Sequence, residues 1–205
     1  MKGKKRENRK TAAAPTQNAA RASRWPYVLV ALAAVILVFW AYGPAMSGPF
    51  LFDDTALPFA LPNFKAPLAD WLKADLRPVL FFTYWVNARI GQEDPYSFHV
   101  FNVLFHLVST GLIFVIVRRL LTWRRHSCLP GRDSSRPSPS REDNLLAAVA
   151  AAIFLLHPVQ TEAVAYLAGR SESLSAMFGL AAFAVFLHRR QAAASWAVAG
   201  RGSAW

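Results

Sequence analysis

The stretch WPYVLVALAAVILVFWAYG, residues 25–43, decides the fold. It passes without one charged side chain and is close to the roughly 20 residues that a helix needs to cross a bilayer. A basic segment of 24 residues precedes it and no clear small-x-small cleavage site follows, so it reads as an uncleaved signal anchor rather than a secretory signal peptide.

Outward from this run, the next long apolar stretch is FHVFNVLFHLVSTGLIFVIV, residues 98–117, closed by Arg118 and Arg119 at the depth of the headgroups. Two shorter runs follow. LLAAVAAAIFLL, residues 145–156, can be extended by the apolar residues running on past His157-Pro158; LSAMFGLAAFAVFL, residues 174–187, has Ser171 and Ser173 as caps and His188-Arg189-Arg190 as its close. Between the first two runs, VLFFTYWV at 79–86 is too short to cross. It follows Arg77-Pro78, where proline suits a first helical turn, and reads as a helix lying in the interface. The expected architecture is all-α: a polytopic membrane bundle of about four spans (25–43, 98–117, 145–157 and 173–187). An outer loop at 44–97 carries the interfacial helix, 118–143 forms a cytoplasmic loop, and 191–205 a cytoplasmic end.

The charges test this layout. Of 23 Lys and Arg, 18 fall in the segment before Trp25, in 118–141 and after Leu187, the arrangement demanded of cytoplasmic loops. Eight of the 12 acids (Asp53, Asp54, Asp70, Asp75, Glu93, Asp94, Glu162 and Glu172) fall on the other side. The N-terminus is therefore expected in the cytoplasm and the acidic loops outside. A chain of 205 residues with 54% hydrophobic composition does not suit a water-soluble or disordered protein. The net charge of +11 is explained by basic membrane-flanking segments, so the expected partner of the disordered tail at 1–24 is anionic lipid and not nucleic acid. The Ser-, Pro- and Arg-rich stretch after Thr122 reads as a flexible loop, and its single Cys128 as an ordinary reduced thiol that excludes a disulfide framework.

Three constellations could carry chemistry. Asp53 and Asp54, in GPFLFDDTALP, stand just past the first span. Paired acids can divide labour, one taking a proton while the other orients substrate or a cation; the alternative is a solvated turn. Arg77 offers a fork to a phosphate, or else snorkels at the interface. In the second span His99, Asn102, His106, Ser109 and Thr110 form a polar stripe that must look into a bundle; it reads as interhelical hydrogen bonding, with a haem or metal pair of histidines as the rarer option. In HPVQTEAVAYLAGRSESLSA, residues 157–176, Pro158 breaks a span near His157, Glu162 lies at the membrane surface, and Arg170 leads into the next span. Glu162 and Arg170 are boundary ionisable groups, functional candidates or partners in a clamp.

Taken in order, FDD, RP before an aromatic helix, FHVFNVLFH and HPVQTEAVAYLAGRSESL resemble the membrane part of the transmembrane and tetratricopeptide-repeat protein O-mannosyltransferases and their bacterial relatives, within the GT-C superfamily of glycosyltransferases. The resemblance runs from Trp25 to about Arg190. It implies an inverting transfer from a polyprenyl-phosphate sugar to a Ser or Thr of a protein acceptor, with Asp53 or Asp54 as base and the other orienting a substrate. It further implies that Arg77 steadies the leaving phosphate and that His157, Glu162 and Arg170 line the same outer cavity. No metal ligand set is expected, although a divalent cation could sit between two aspartates. The family has more spans than four and continues into repeats of about 34 residues, so the chain reads as a truncated piece unsuited to independent activity. The competing expectation is a non-catalytic four-span protein with an assembly role; a transporter is a weaker third.

Overall fold

The computed structural model describes residues 25–57, 66–73, 76–92, 94–127 and 139–199. The expected disordered tail, the outer acids Asp75 and Glu93, and the loop residue Cys128 lie outside these. The described residues contain α1 (Trp25–Met46), a 3-10 turn (Phe52–Ala56), α2 (Leu68–Lys73), α3 (Pro78–Gly91), α4 (Pro95–Ser127), α5 (Arg141–Leu156), α6 (Gln160–Ala165) and α7 (Arg170–Ala199), and no strand.

Among the described residues three helices are long and apolar enough to cross a membrane: Trp25–Met46, Pro95–Arg124 and Arg170–Arg190. At 1.5 Å per residue the 33 residues of α4 reach about 50 Å, well beyond a ~30 Å hydrocarbon core, so helix continues where the sequence suggested loop after Val117. The fourth expected span, α5, has 16 residues, about 24 Å. It ends at Leu156 because Pro158 cannot continue a helix, and it starts with a polar turn. There Ser140 Oγ accepts from Asp143 N at 3.1 Å and Asp143 Oδ2 accepts from Ser140 N at 2.9 Å, a reciprocal cap.

Two further expectations are corrected. Ser171 and Ser173 do not cap α7, which begins at Arg170; Ser173 Oγ instead donates to Ala163 O at 2.8 Å and ties α7 to α6. Nor do His188-Arg189-Arg190 end the helix, since backbone hydrogen bonding carries it on to Ala199.

α4 is the central post, touching α1, α3, α5, α6 and α7. One apolar cluster joins Val38, Tyr42 and Met46 of α1 to Val103, Leu155 and Val164. A second joins Trp71 of α2 and Leu80, Phe81, Tyr84 and Ala88 of α3 to Phe98, Leu167 and Leu174. On α5 the buried residues Ala147, Ala151 and Leu155 recur every four positions, a stripe of small side chains that lets helix backbones approach closely. The polar stripe of α4 is buried at all five positions. His106 Nε2 lies 3.1 Å from the Leu155 carbonyl, while Ser109 and Thr110 donate back to Phe105 O and His106 O. These bonds employ the stripe within and between helices, and His106 Nε2 is not available to a haem or metal.

α1 runs antiparallel to α4, α7 starts beside the start of α4, and the bundle has two ends. At one, Arg118 of α4 lies over the Tyr27 ring of α1 at 5.8 Å; at the other, the 3-10 turn meets the α6–α7 junction.

Candidate functional site

The chain leaves α1 through Gly48 and Pro49 and closes the single turn Phe52–Ala56, in which Phe52 takes a left-handed backbone (φ 47°) rarely adopted by a side chain of its size. The turn gives the adjacent acids opposite surroundings. Asp54 is 2% exposed, and its Oδ1 accepts from Ala168 N at 2.7 Å across 114 residues of sequence. Its Oδ2 accepts from Leu51 N at 3.4 Å. Burial pushes the Asp54 carboxyl above its ordinary value of 3.8, with the backbone N–H donors pulling the other way. Asp53 is exposed; its backbone N–H donates to the Tyr166 hydroxyl at 3.1 Å, and its carboxylate stands within hydrogen-bonding reach of the same hydroxyl.

The opposite wall is the junction Tyr166–Arg170. Gly169 fits closely there: a Cβ would stand 3.1 Å from both Glu162 O and Tyr166 O, so the backbone around it would have to give by a few tenths of an ångström. Arg170 is fully buried. Its Nε donates to Asn102 Oδ1 at 2.7 Å, and its Nη2 donates to Asn87 Oδ1 and to Phe98 O, both at 2.9 Å. Its guanidinium stacks on Tyr84, 4.4 Å from the ring centroid, with Phe98, Phe101 and Phe105 within 5.9 Å. A buried cation held by neutral amides and aromatic faces is costly unless its hydrogen bonds are made, and only Nη1 lacks a partner. Tyr84 in turn donates its hydroxyl to Leu167 O at 2.8 Å; burial pushes that hydroxyl up to about 12, so it stays a donor at every physiological pH.

The expected residues therefore separate. Asp53, Asp54 and the Tyr166–Arg170 junction meet at one end of the bundle. Arg77, exposed at the N-terminus of α3, is two turns from Tyr84 on the same face, and its charge is felt there. Arg170 does not line an open cavity, and its bonds go to Asn102, Asn87 and Phe98 instead of Glu162, so the clamp between Glu162 and Arg170 is not made. Glu162 is exposed on α6. His157 is exposed and uses Nδ1 to accept from Val159 N at 3.2 Å, closing the end of α5. His99 is buried near Gly48 and Ala165 with neither ring nitrogen in hydrogen-bonding geometry. Asp53 and Asp54 do not fit a shared cation, because both oxygens of Asp54 are turned inward onto backbone N–H groups. Among the described residues no three His, Cys, Asp or Glu are grouped to hold a metal ion.

Sequence reasoning missed Asn87, Tyr84 and Tyr166. The signal for Asn87 was available, as an amide inside an otherwise apolar interfacial helix; Tyr84 and Tyr166 looked like ordinary interfacial aromatics.

Comparison with known proteins adds relatives. The chain is 28% identical over 166 residues to a protein O-mannosyl-transferase of Caenorhabditis elegans, covering 73% of this chain and 22% of the relative. It is 39% identical over 110 residues to protein O-mannosyl-transferase Tmtc3 of Drosophila melanogaster, covering 52% of this chain and 12% of the relative. With TMTC3 of Mus musculus it shares 35% over 107 residues, 52% of this chain and 9% of that protein. The chain thus spans about a fifth or less of the length of these relatives. No family model matches it. No solved structure matches it either.

Proposed function

We propose that the chain is a membrane part of a glycosyltransferase of the protein O-mannosyl-transferase kind, taking a polyprenyl-phosphate sugar as donor and a Ser or Thr hydroxyl of a protein as acceptor. The observation that carries this reading is the asymmetry of the acid pair: one carboxylate is exposed to solvent while its neighbour is buried and tied to the opposite wall. Similarity to enzymes named for O-mannosyl transfer supports the chemistry.

In this reading Asp53 is the base. Its carboxylate takes the proton of the acceptor hydroxyl, the oxygen attacks sugar C1, and the bond from C1 to the phosphate oxygen breaks with its electron pair leaving on polyprenyl phosphate. Asp54 orients the turn that carries Asp53. Arg77 meets the departing phosphate, where negative charge develops. Glu162 and His157, both exposed near the same end, contact acceptor or donor at the rim. The membrane arrangement that goes with it has the N-terminus in the cytoplasm, α5 completing four crossings, and the acids on the outer face, periplasmic in a bacterial inner membrane.

The test is sugar transfer by membranes carrying the full chain, supplied with polyprenyl-phosphate mannose and a Ser/Thr-containing acceptor. Loss of a general base costs about 10²–10⁴-fold in rate, so Asp53→Asn should drop transfer by that much while the protein stays folded. Transfer that survives Asp53→Asn removes Asp53 as the base. In a complete enzyme that contains this segment, transfer unchanged by both Asp53→Asn and Asp54→Asn favours the non-catalytic assembly reading.

A further inference from the structure

Asp53 and Asp54 each make a long-range hydrogen bond to the Tyr166–Ala168 segment, and that segment is itself gripped from behind. We propose that Tyr84, Asn102 and Arg170 are positioning residues that hold the Tyr166–Ala168 segment as a cradle for the acid pair. The inference concerns where the turn sits; only its catalytic consequence rests on the proposed transfer reaction.

The links are continuous. Ala168 N donates to Asp54 Oδ1, and the Tyr166 hydroxyl accepts from Asp53 N, so the cradle fixes both acids from one side. Two of the three cradle residues have a grip behind them. Tyr166 O accepts from Asn102 Nδ2 at 3.2 Å, and Leu167 O accepts from the Tyr84 hydroxyl at 2.8 Å. Asn102 has its other amide atom committed as well, since Oδ1 accepts from Arg170 Nε, which fixes the amide the right way round to donate to Tyr166. Arg170 also covers the Tyr84 ring and bonds Asn87, so α3, α4 and the start of α7 meet on one guanidinium. Tyr84, Leu167, Asn102 and Arg170 have at most 1% of their surface exposed, and a hydrogen bond shielded from water in this way is hard to replace by solvent.

Two substitutions break single links while sparing the packing. Asn102→Asp keeps an oxygen for Arg170 but loses the donor to Tyr166 O. Tyr84→Phe keeps the ring under Arg170 but loses the donor to Leu167 O. Arg170 is a poorer first choice, because its removal leaves two buried amides unpaired and the fold suffers with the site.

Hydrogen–deuterium exchange of the full chain in detergent micelles reads the position of the turn without any need for activity. The loss of one buried hydrogen bond corresponds to about a tenfold rise in local opening. Each variant should therefore raise exchange about tenfold in the peptide covering 51–57, a segment that contains neither substitution, while α1 and the middle of α4 stay as protected as in the parent. Exchange of 51–57 unchanged in both variants overturns the inference, as does loosening that spreads evenly over α3, α4 and α7, the pattern of a merely structural tie. In membranes that transfer mannose, the same variants should lower kcat about tenfold with the acceptor KM unchanged. Exchange that rises in 51–57 while mannose transfer by membranes carrying the same variants is unchanged keeps the cradle and removes the acid pair from the transfer step.

Discussion

At the scale of single residues, adjacency in sequence says little about equivalence in space. Asp53 and Asp54 are neighbours, yet a 3-10 turn sends one outward and the other into the α6–α7 junction. The buried acid makes a pH prediction with a definite sign. Its carboxyl is raised above 3.8 by burial, so between that value and its raised position the folded state holds more protons than the unfolded state, and stability falls as pH rises. The parent should therefore gain thermal stability in micelles as pH drops from neutral into the upper carboxylate range. Asp54→Asn, which has no charge to bury, should gain less over the same interval. Equal pH dependence in the two proteins would show that Asp54 is not the group responsible. Arg170 teaches the complementary lesson. A boundary arginine is rightly suspected of function, but its partners turned out to be Asn87 and Asn102, 83 and 68 residues away, and no sequence pattern lists amides at such distances as a binding set for a cation.

Among the elements, the apolar runs located α1, α4 and α7, because a hydrophobic stretch long enough to span is a strong one-dimensional signal. Pro78 similarly marked the start of α3, where its missing N–H costs nothing. Helix ends were harder to read. α7 begins earlier than its serines suggested and α4 outlasts its apolar run, since both ends are fixed by backbone hydrogen bonding and tertiary contact instead of composition. α5 is the most exposed to test: its small-residue stripe faces the bundle, with Ala147 at 0% and Ala151 at 7% exposure. Ala151→Leu would force a larger side chain into a closely packed face and should cost about 1–3 kcal/mol, visible as a lower midpoint of thermal unfolding in micelles. The same exchange at Ala152, on the exposed face, should leave the midpoint within about 0.5 kcal/mol of the parent.

For the whole molecule, Arg118 meets Tyr27 at one end of the bundle, and the acid pair lies at the other. A membrane-impermeant thiol reagent should accordingly label Cys128 only after the membrane is opened, when applied to the outer face of intact cells. A Cys128→Ser protein carrying Ala56→Cys should label directly, and the reverse pattern would invert the topology. Composition alone marks an all-helical chain built from bilayer-length apolar runs, because hydropathy is a property of local sequence. The sequence also determined which polar residues of α4 had to be buried, because their spacing puts them on one face. Only the tertiary structure decided which of two adjacent aspartates is exposed, and that Arg170 closes a cage of amides and rings. It also decided that Tyr84 and Asn102 reach the junction on which the acids rest. Those outcomes depend on hydrogen bonds between groups separated by 64 to 114 residues, and such bonds form only once the helices have packed.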